Sequence, residues 1–133
     1  MNQQLPLNSQ VLFVTSFTDL QKRWLLSHSK VLLYTPSNEH FGIVPIEGMA
    51  YGLPVIAMKS GGPMETVVHG QGGYLCRDVA KIDVNEMSNY LMAILDNKQV
   101  WTTLSRFCKK RFEKKFSVEA MMDAFERELL NNY

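Results

Sequence analysis

The chain has 133 residues, 46% of them hydrophobic and 20% charged, and a formal net charge of +1. That length suits one domain with its own core and is short for two, and the near-neutral balance gives no footprint for nucleic acid. Two distant cysteines, Cys76 and Cys108, and three scattered histidines, His28, His40 and His69, argue against a disulfide framework and against a His/Cys metal centre.

The opening "MNQQLPLNSQ" has neither a basic start nor an apolar core, so no secretory leader is expected there. No apolar run approaches the roughly 18 residues of a membrane span. Residues 11–15, "VLFVT", are β-branched and aromatic and predict a first, buried strand. Thr18 or Asp19 then caps a helix on which Leu20, Trp24 and Leu25 share a face. "KVLLYT" (30–35) predicts the second strand, "SNEHFG" a polar loop, and "IVPIEGMAYG" a short helix closed by Gly52. "LPVIAM" (53–58) is the third strand. In "KSGGPMETVVHG" a glycine turn places Pro63 at the first position of a short helix that ends near Gly70. "GGYLC" (72–76) is a brief fourth strand.

The rest reads as helix. Val84, Met87, Leu91, Ile94 and Leu95 form one apolar stripe, and Val118, Met121, Met122, Phe125 and Leu129 another. Short apolar strands alternating with helices predict an α/β domain with a Rossmann-like parallel sheet covered on both faces, followed by a helical C-terminal segment. No repeat or interdomain linker divides residues 1–133, so a single domain is expected.

Seven residues separate Glu39 from Glu47. In open parallel sheets, ligands bind beyond the carboxyl ends of the strands, and Glu39 lies just past the strand "VLLYT". The next helix starts near Val44 and Pro45, so amides among Gly42, Ile43 and Val44 are free to face an anion. Gly42 lets such an anion approach the backbone closely. Glu47 sits about one turn into that helix, and helical side chains lean toward the N-terminus. Ionised carboxylates accept hydrogen bonds only, which suits them to gripping hydroxyls. A diphosphate with hydroxyls at both ends is the shape of a nucleotide sugar. The same spacing also fits a dipole partner at Glu47 and a solvated loop residue at Glu39.

The run "PSNEHFGIVPIEGMAYGLPVIAMKSGGPMETVVHGQGGYLC" resembles the signature of retaining GT-B glycosyltransferases that carry an E-x7-E motif. Within that family "SFTDLQKRWLL" and "LLYTPSNEHFGIVP" are similar to the mannosyltransferases that extend the dolichol-linked precursor of N-glycans. The resemblance implies a nucleotide-sugar donor, GDP-mannose, and a lipid-linked oligosaccharide acceptor at the cytosolic face of the endoplasmic reticulum. It implies that Glu39 contacts the donor sugar and stabilises charge near its anomeric carbon, a catalytic role. Glu47 binds the ribose hydroxyls, and His40, Phe41, Gly42, Ile43 and Val44 supply amides to sugar and diphosphate. Phe17, after the first strand, is placed for the base or for packing; Gly61 and Gly62 lie near the donor or simply shape a turn. Glu65 is expected to accept amides at its helix start. No metal or other cofactor is expected in this half, because aligned amides hold the leaving diphosphate.

The family's second, acceptor-binding domain and the first strands of its donor domain, with the Arg and Lys that neutralise the diphosphate, have no counterpart in these residues. The chain is therefore expected to be the C-terminal donor portion, with a bare sheet edge and no transfer activity alone. A stand-alone binding module, one completed by a partner chain, and a domain kept for interactions are the alternatives. Gly48, where relatives often carry Ala, is expected to cost helix propensity of about 1 kcal/mol. Finally, "RFCKKRFEKKF" (106–116) holds six basic residues with Phe107, Phe112 and Phe116, a pattern for either a solvated helix face or an anionic membrane surface.

Overall fold

A computed structural model describes residues 11–77 and 82–131; the leader reading of residues 1–10 falls outside them. The elements run α1 (Asp19–His28), β1 (Leu32–Tyr34), α2 (Ile43–Ala50), β2 (Val55–Met58), α3 (Pro63–Thr66), β3 (Gly73–Cys76), α4 (Val84–Leu95), α5 (Lys98–Lys115) and α6 (Val118–Asn131). Among the described residues the sheet has three strands in the order β1-β2-β3, both pairs parallel, with Leu32 opposite Val55 and Val55 opposite Gly73. This is the α/β architecture the alternating pattern predicts, with the helical C-terminal segment in place.

Alternation along β2 divides the core in two. Val55 and Ala57 face Met49 of α2, Cys108 and Phe112 of α5, and Phe116 just beyond its end. Ile56 and Met58 face Ile94 of α4 and Leu104 of α5. All four β2 residues are buried, as expected of a central strand covered on both faces. Close packing at the seams depends on glycine. A Cβ on Gly73 (φ +150°) would overlap the Val55 carbonyl, and one on Gly48 would come within 2.7 Å of Leu32 Cδ2. Gly48 therefore has a packing reason, the approach of α2 to β1, beyond the propensity cost read from sequence.

Two expectations fail. Residues 11–15 form no strand and stand outside the sheet, with Leu12 and Phe13 about four-fifths exposed. A β-branched and aromatic run expresses a preference for packing in a sheet, and nothing in the three-strand sheet lies beside this one. Likewise the faces expected to be buried on α1 and α6 are open to solvent. Leu20, Trp24, Met121 and Phe125 are all exposed, and neither helix buries a residue. On α4 the stripe is divided: Ile94 is buried, and Met87 and Leu91 pack on the core, while Val84 and Leu95 are exposed.

Candidate functional site

Beyond Tyr34 the chain leaves β1 and enters the loop that carries Glu39. The loop is bound to the next strand-to-helix turn. Gly62 N donates to the Glu39 carbonyl at 2.7 Å, Asn38 N donates to Ser60 Oγ at 3.0 Å, and Ser60 Oγ donates to Asn38 Oδ1 at 3.2 Å. Gly61 (φ +56°) and Gly62 lie flat against it. A Cβ on Gly61 would overlap the Glu39 carbonyl, and one on Gly62 would overlap the Phe41 carbonyl. The two glycines thus act as the floor on which the Glu39–Phe41 backbone rests. Glycine pairs read as turns in sequence; no local signal announces a second backbone lying across them.

The loop ends at Gly42, which is left-handed (φ 73°, ψ 62°) and precedes α2 without any side-chain cap. The first amides of α2 have no intrahelical acceptor; flanking Phe41, Ile43 and Val44 are 49%, 64% and 41% exposed, whereas Gly42 itself is buried, with Pro63 against the space a Cβ would take, so its glycine serves packing and the left-handed turn. Pro45, third in α2, is buried and gives up a donor the helix does not use. Three other helices, α1, α4 and α5, are capped from within. Thr18 closes a capping box on α1, Asp83 accepts two amides of α4, and Asn97 accepts two of α5.

Glu39 and His40 are exposed. The Tyr34 phenol is pushed up from its ordinary value, by burial first and then by the negative charge of Glu39, which sets Glu39 at the carboxyl end of β1. Glu47 faces away from the loop toward α1, where Lys22 Nζ meets its Oε1 at 2.8 Å. The Lys22 ammonium is held above the usual lysine value, chiefly by that hydrogen bond and then by the Glu47 charge. Lys22 escaped the sequence reading because 25 residues and the whole of β1 separate it from Glu47.

Phe17 is 48% exposed and follows Ser16, whose φ is +55°. The Glu65 carboxylate accepts no hydrogen bond among the described residues, contrary to its expected capping role. Its main-chain carbonyl instead accepts from Arg111 at 2.7 Å, as that of Thr66 does at 2.8 Å. In the basic run, Phe112 and Phe116 pack against the core and Phe107 lies beside Gly72. Phe112 and Phe116 therefore point into the domain, while half-buried Phe107 lines an open groove with Lys110, Arg111, Lys114 and Lys115. Among the described residues no three His, Cys, Asp or Glu side chains cluster as metal ligands would, and no helix is long and apolar enough to cross a membrane.

Comparison with known proteins identifies relatives of this chain. The alpha-1,3/1,6-mannosyltransferase ALG2 of Dictyostelium discoideum is 42% identical over 111 residues, 84% of this chain and 26% of that protein. Its human counterpart is 40% identical over 127 residues, 96% of this chain and 30% of that protein. The chain thus spans less than a third of the length of these curated relatives. Among solved structures, Anabaena Alr3699/HepE in complex with UDP superposes with a TM-score of 0.67 at 26% identity, over 80% of this chain and 29% of that one. The C-terminal domain of the group 1 glycosyl transferase LpcC from Francisella tularensis shares the fold, with a TM-score of 0.68 at 18% identity over 80% of this chain and 53% of that one. Residues 1–115 match the family described as glycosyl transferases group 1, and the chain belongs to that family, with the fold of a GT-B C-terminal domain.

Proposed function

We propose that this chain is the donor-binding part of a retaining mannosyltransferase, moving mannose from GDP-mannose to a dolichol-diphosphate-linked oligosaccharide during N-glycan precursor synthesis. The carrying observation is the Glu39 loop resting on Gly61 and Gly62 beside the uncapped start of α2. The relatives named for α-1,3/1,6-mannosyl transfer supply the sugar; the guanine nucleotide and the lipid-linked acceptor follow from the sequence resemblance.

In this reading the donor diphosphate lies at the α2 N-terminus, facing its free amides and the positive end of the helix dipole. Glu47 accepts the ribose hydroxyls. Glu39 faces the mannose and stabilises positive charge as the bond from the anomeric carbon to the diphosphate oxygen breaks. The acceptor hydroxyl oxygen forms the new bond on the same face, its proton is released, and GDP leaves with the bonding pair. His40, Phe41, Ile43 and Val44 line the approach through their backbone, and Phe17 offers a ring to the base. Fixed amides aimed at the departing diphosphate take the part a divalent ion plays elsewhere, so this half requires no metal.

The reaction is placed at the cytosolic face of the endoplasmic reticulum. The exposed charges of α5, Arg106, Lys109, Lys110, Lys114 and Lys115, offer an electrostatic contact to an anionic bilayer. Alone, these 133 residues bind donor and transfer no mannose; transfer by the purified chain would contradict this. Titration calorimetry with GDP-mannose, GDP, UDP and UDP-GlcNAc tests the donor reading. Saturable binding of the guanine ligands, lost in Glu47→Ala, supports it. Preference for the uracil ligands overturns the donor, and no binding by the folded chain overturns the site.

A further inference from the structure

An open groove of about 370 Å³ separates α1 from α2, lined by Lys22 and Arg23 on one side, Glu47 and Tyr51 on the other, and closed by Phe112 of α5. Across it runs the Lys22–Glu47 ion pair, each side chain about one-third exposed (35% and 34%). The ammonium engages Oε1 only; Glu47 Oε2 has no hydrogen-bond partner among the described residues. Helix α1 buries no residue of its own, so this polar contact is not a by-product of tight helix packing. Its start is nonetheless well fixed, since Thr18 and Gln21 close a reciprocal capping box one turn from Lys22.

Resting on the proposed role of Glu47 toward the ribose, we propose that Lys22 is a positioning residue for donor binding. It holds one carboxylate oxygen so that the other faces the groove, ready to accept from the vicinal hydroxyls of a ribonucleotide. A glutamate on an exposed helix face samples several rotamers, and ordering a long side chain on binding costs about 0.5–1.5 kcal/mol. A partner that fixes the carboxylate beforehand removes much of that cost. Lysine suits the task because an ammonium is a compact charge on a long stem, reaching one oxygen without covering both, whereas a guanidinium pairs with the two together. The hydrogen bond to Glu47 raises the Lys22 value further above the neutral range, so the ammonium is charged there.

The distinguishing readout is hydroxyl recognition, not affinity alone. Calorimetry of the full chain compares GDP with 2′,3′-dideoxy-GDP for wild type, Lys22→Met, Lys22→Arg and Glu47→Ala, with circular dichroism confirming that each is folded. For Lys22→Met we expect GDP to bind about 3–10-fold more weakly, the factor given by about 0.6–1.4 kcal/mol of lost preorganisation. The preference for GDP over the dideoxy analogue should shrink in step. Lys22→Arg restores part of it, and Glu47→Ala abolishes it. A folded Lys22→Met that keeps the full preference, while Glu47→Ala loses it, overturns the role of Lys22 and leaves that of Glu47 standing. A wild-type chain without any preference between the two nucleotides, or without binding, overturns the reading of Glu47 and this inference with it. An equal loss of both nucleotides in Lys22→Met assigns Lys22 to the diphosphate or to local structure, and also rejects the proposal.

Discussion

Two kinds of helix start occur in this small domain. Helices α1, α4 and α5 receive acceptors from Thr18, Asp83 and Asn97, and Ser117 Oγ accepts the Ala120 amide in the first turn of α6 at 3.1 Å. Helices α2 and α3, which follow β1 and β2 at the carboxyl rim, are preceded by Gly42 and Gly62 and have no side-chain cap. A side-chain cap is worth about 1 kcal/mol, so each bare start forgoes stability that the chain readily supplies elsewhere. Where a helix start serves the fold alone, the sequence satisfies it locally. Where it borders the Glu39 loop, glycine replaces the cap; the α3 amides are then used within their own turn, Met64 donating to the Gly61 carbonyl and Glu65 and Thr66 to that of Gly62, whereas α2 has no acceptor for its first amides. The contrast sets helix starts closed by a side chain apart from the one, α2, at which we propose that the donor diphosphate binds.

The sharpest way to break the contrast is Gly62→Ala. Its Cβ would overlap the Phe41 carbonyl, and neither backbone can retreat without moving the loop. A loss of at least about 3 kcal/mol is expected, the upper end of overpacking, together with loss of guanine-nucleotide binding. Urea unfolding beside calorimetry checks both.

A second test sets the interior against the rim. The Cys108 thiol donates to the Gly72 carbonyl at 3.0 Å, and burial pushes its pKa from 9.0 up to about 12. The folded state therefore keeps a proton that the unfolded chain releases. The resulting stability is complete below pH 9 and is lost as pH rises from 9 toward 12. Comparing the alkaline slope of stability with that of Cys108→Ala should show a difference of about 2.7 kcal/mol by two pH units above the unfolded value. Identical slopes would place the thiol in solvent.

Asn97→Ala sharpens the comparison from the capped side. It should cost about 1 kcal/mol and leave nucleotide affinity unchanged; a change in affinity would mean that the two classes of helix start are not independent. The smallest effect is expected for Gly48→Ala. The gain in helix propensity, about 1 kcal/mol, opposes a contact with Leu32 Cδ2, the tip of a flexible side chain. Thermal melts should place the net change within about 1 kcal/mol of zero.

Much of the fold was legible from pattern. The observed strands sit inside the runs 30–35, 53–58 and 72–76, because a parallel strand buried on both faces is a continuous apolar stretch. Thr18 and Pro63 marked their helix starts for local reasons, a hydroxyl acceptor and a fixed φ. The failures share one cause. Residues 11–15 and the α6 stripe are as apolar as the buried strands, yet apolarity records a demand for cover and not the element that supplies it. The candidate site divides in the same way. Glu39, Gly42 and Glu47 were legible by spacing, whereas Lys22 and the floor formed by Gly61 and Gly62 depend on contacts between distant segments, which no local period encodes.

That glycine floor has a practical corollary for spectroscopy. The Gly62 amide donates to the Glu39 carbonyl, so its proton reports on the backbone of the residue proposed to face the sugar. Glycine amides fall in a sparse region of a nitrogen–proton correlation spectrum, and this chain has only eight glycines. A single assigned resonance would then follow occupancy and loop displacement together, without any label on the nucleotide.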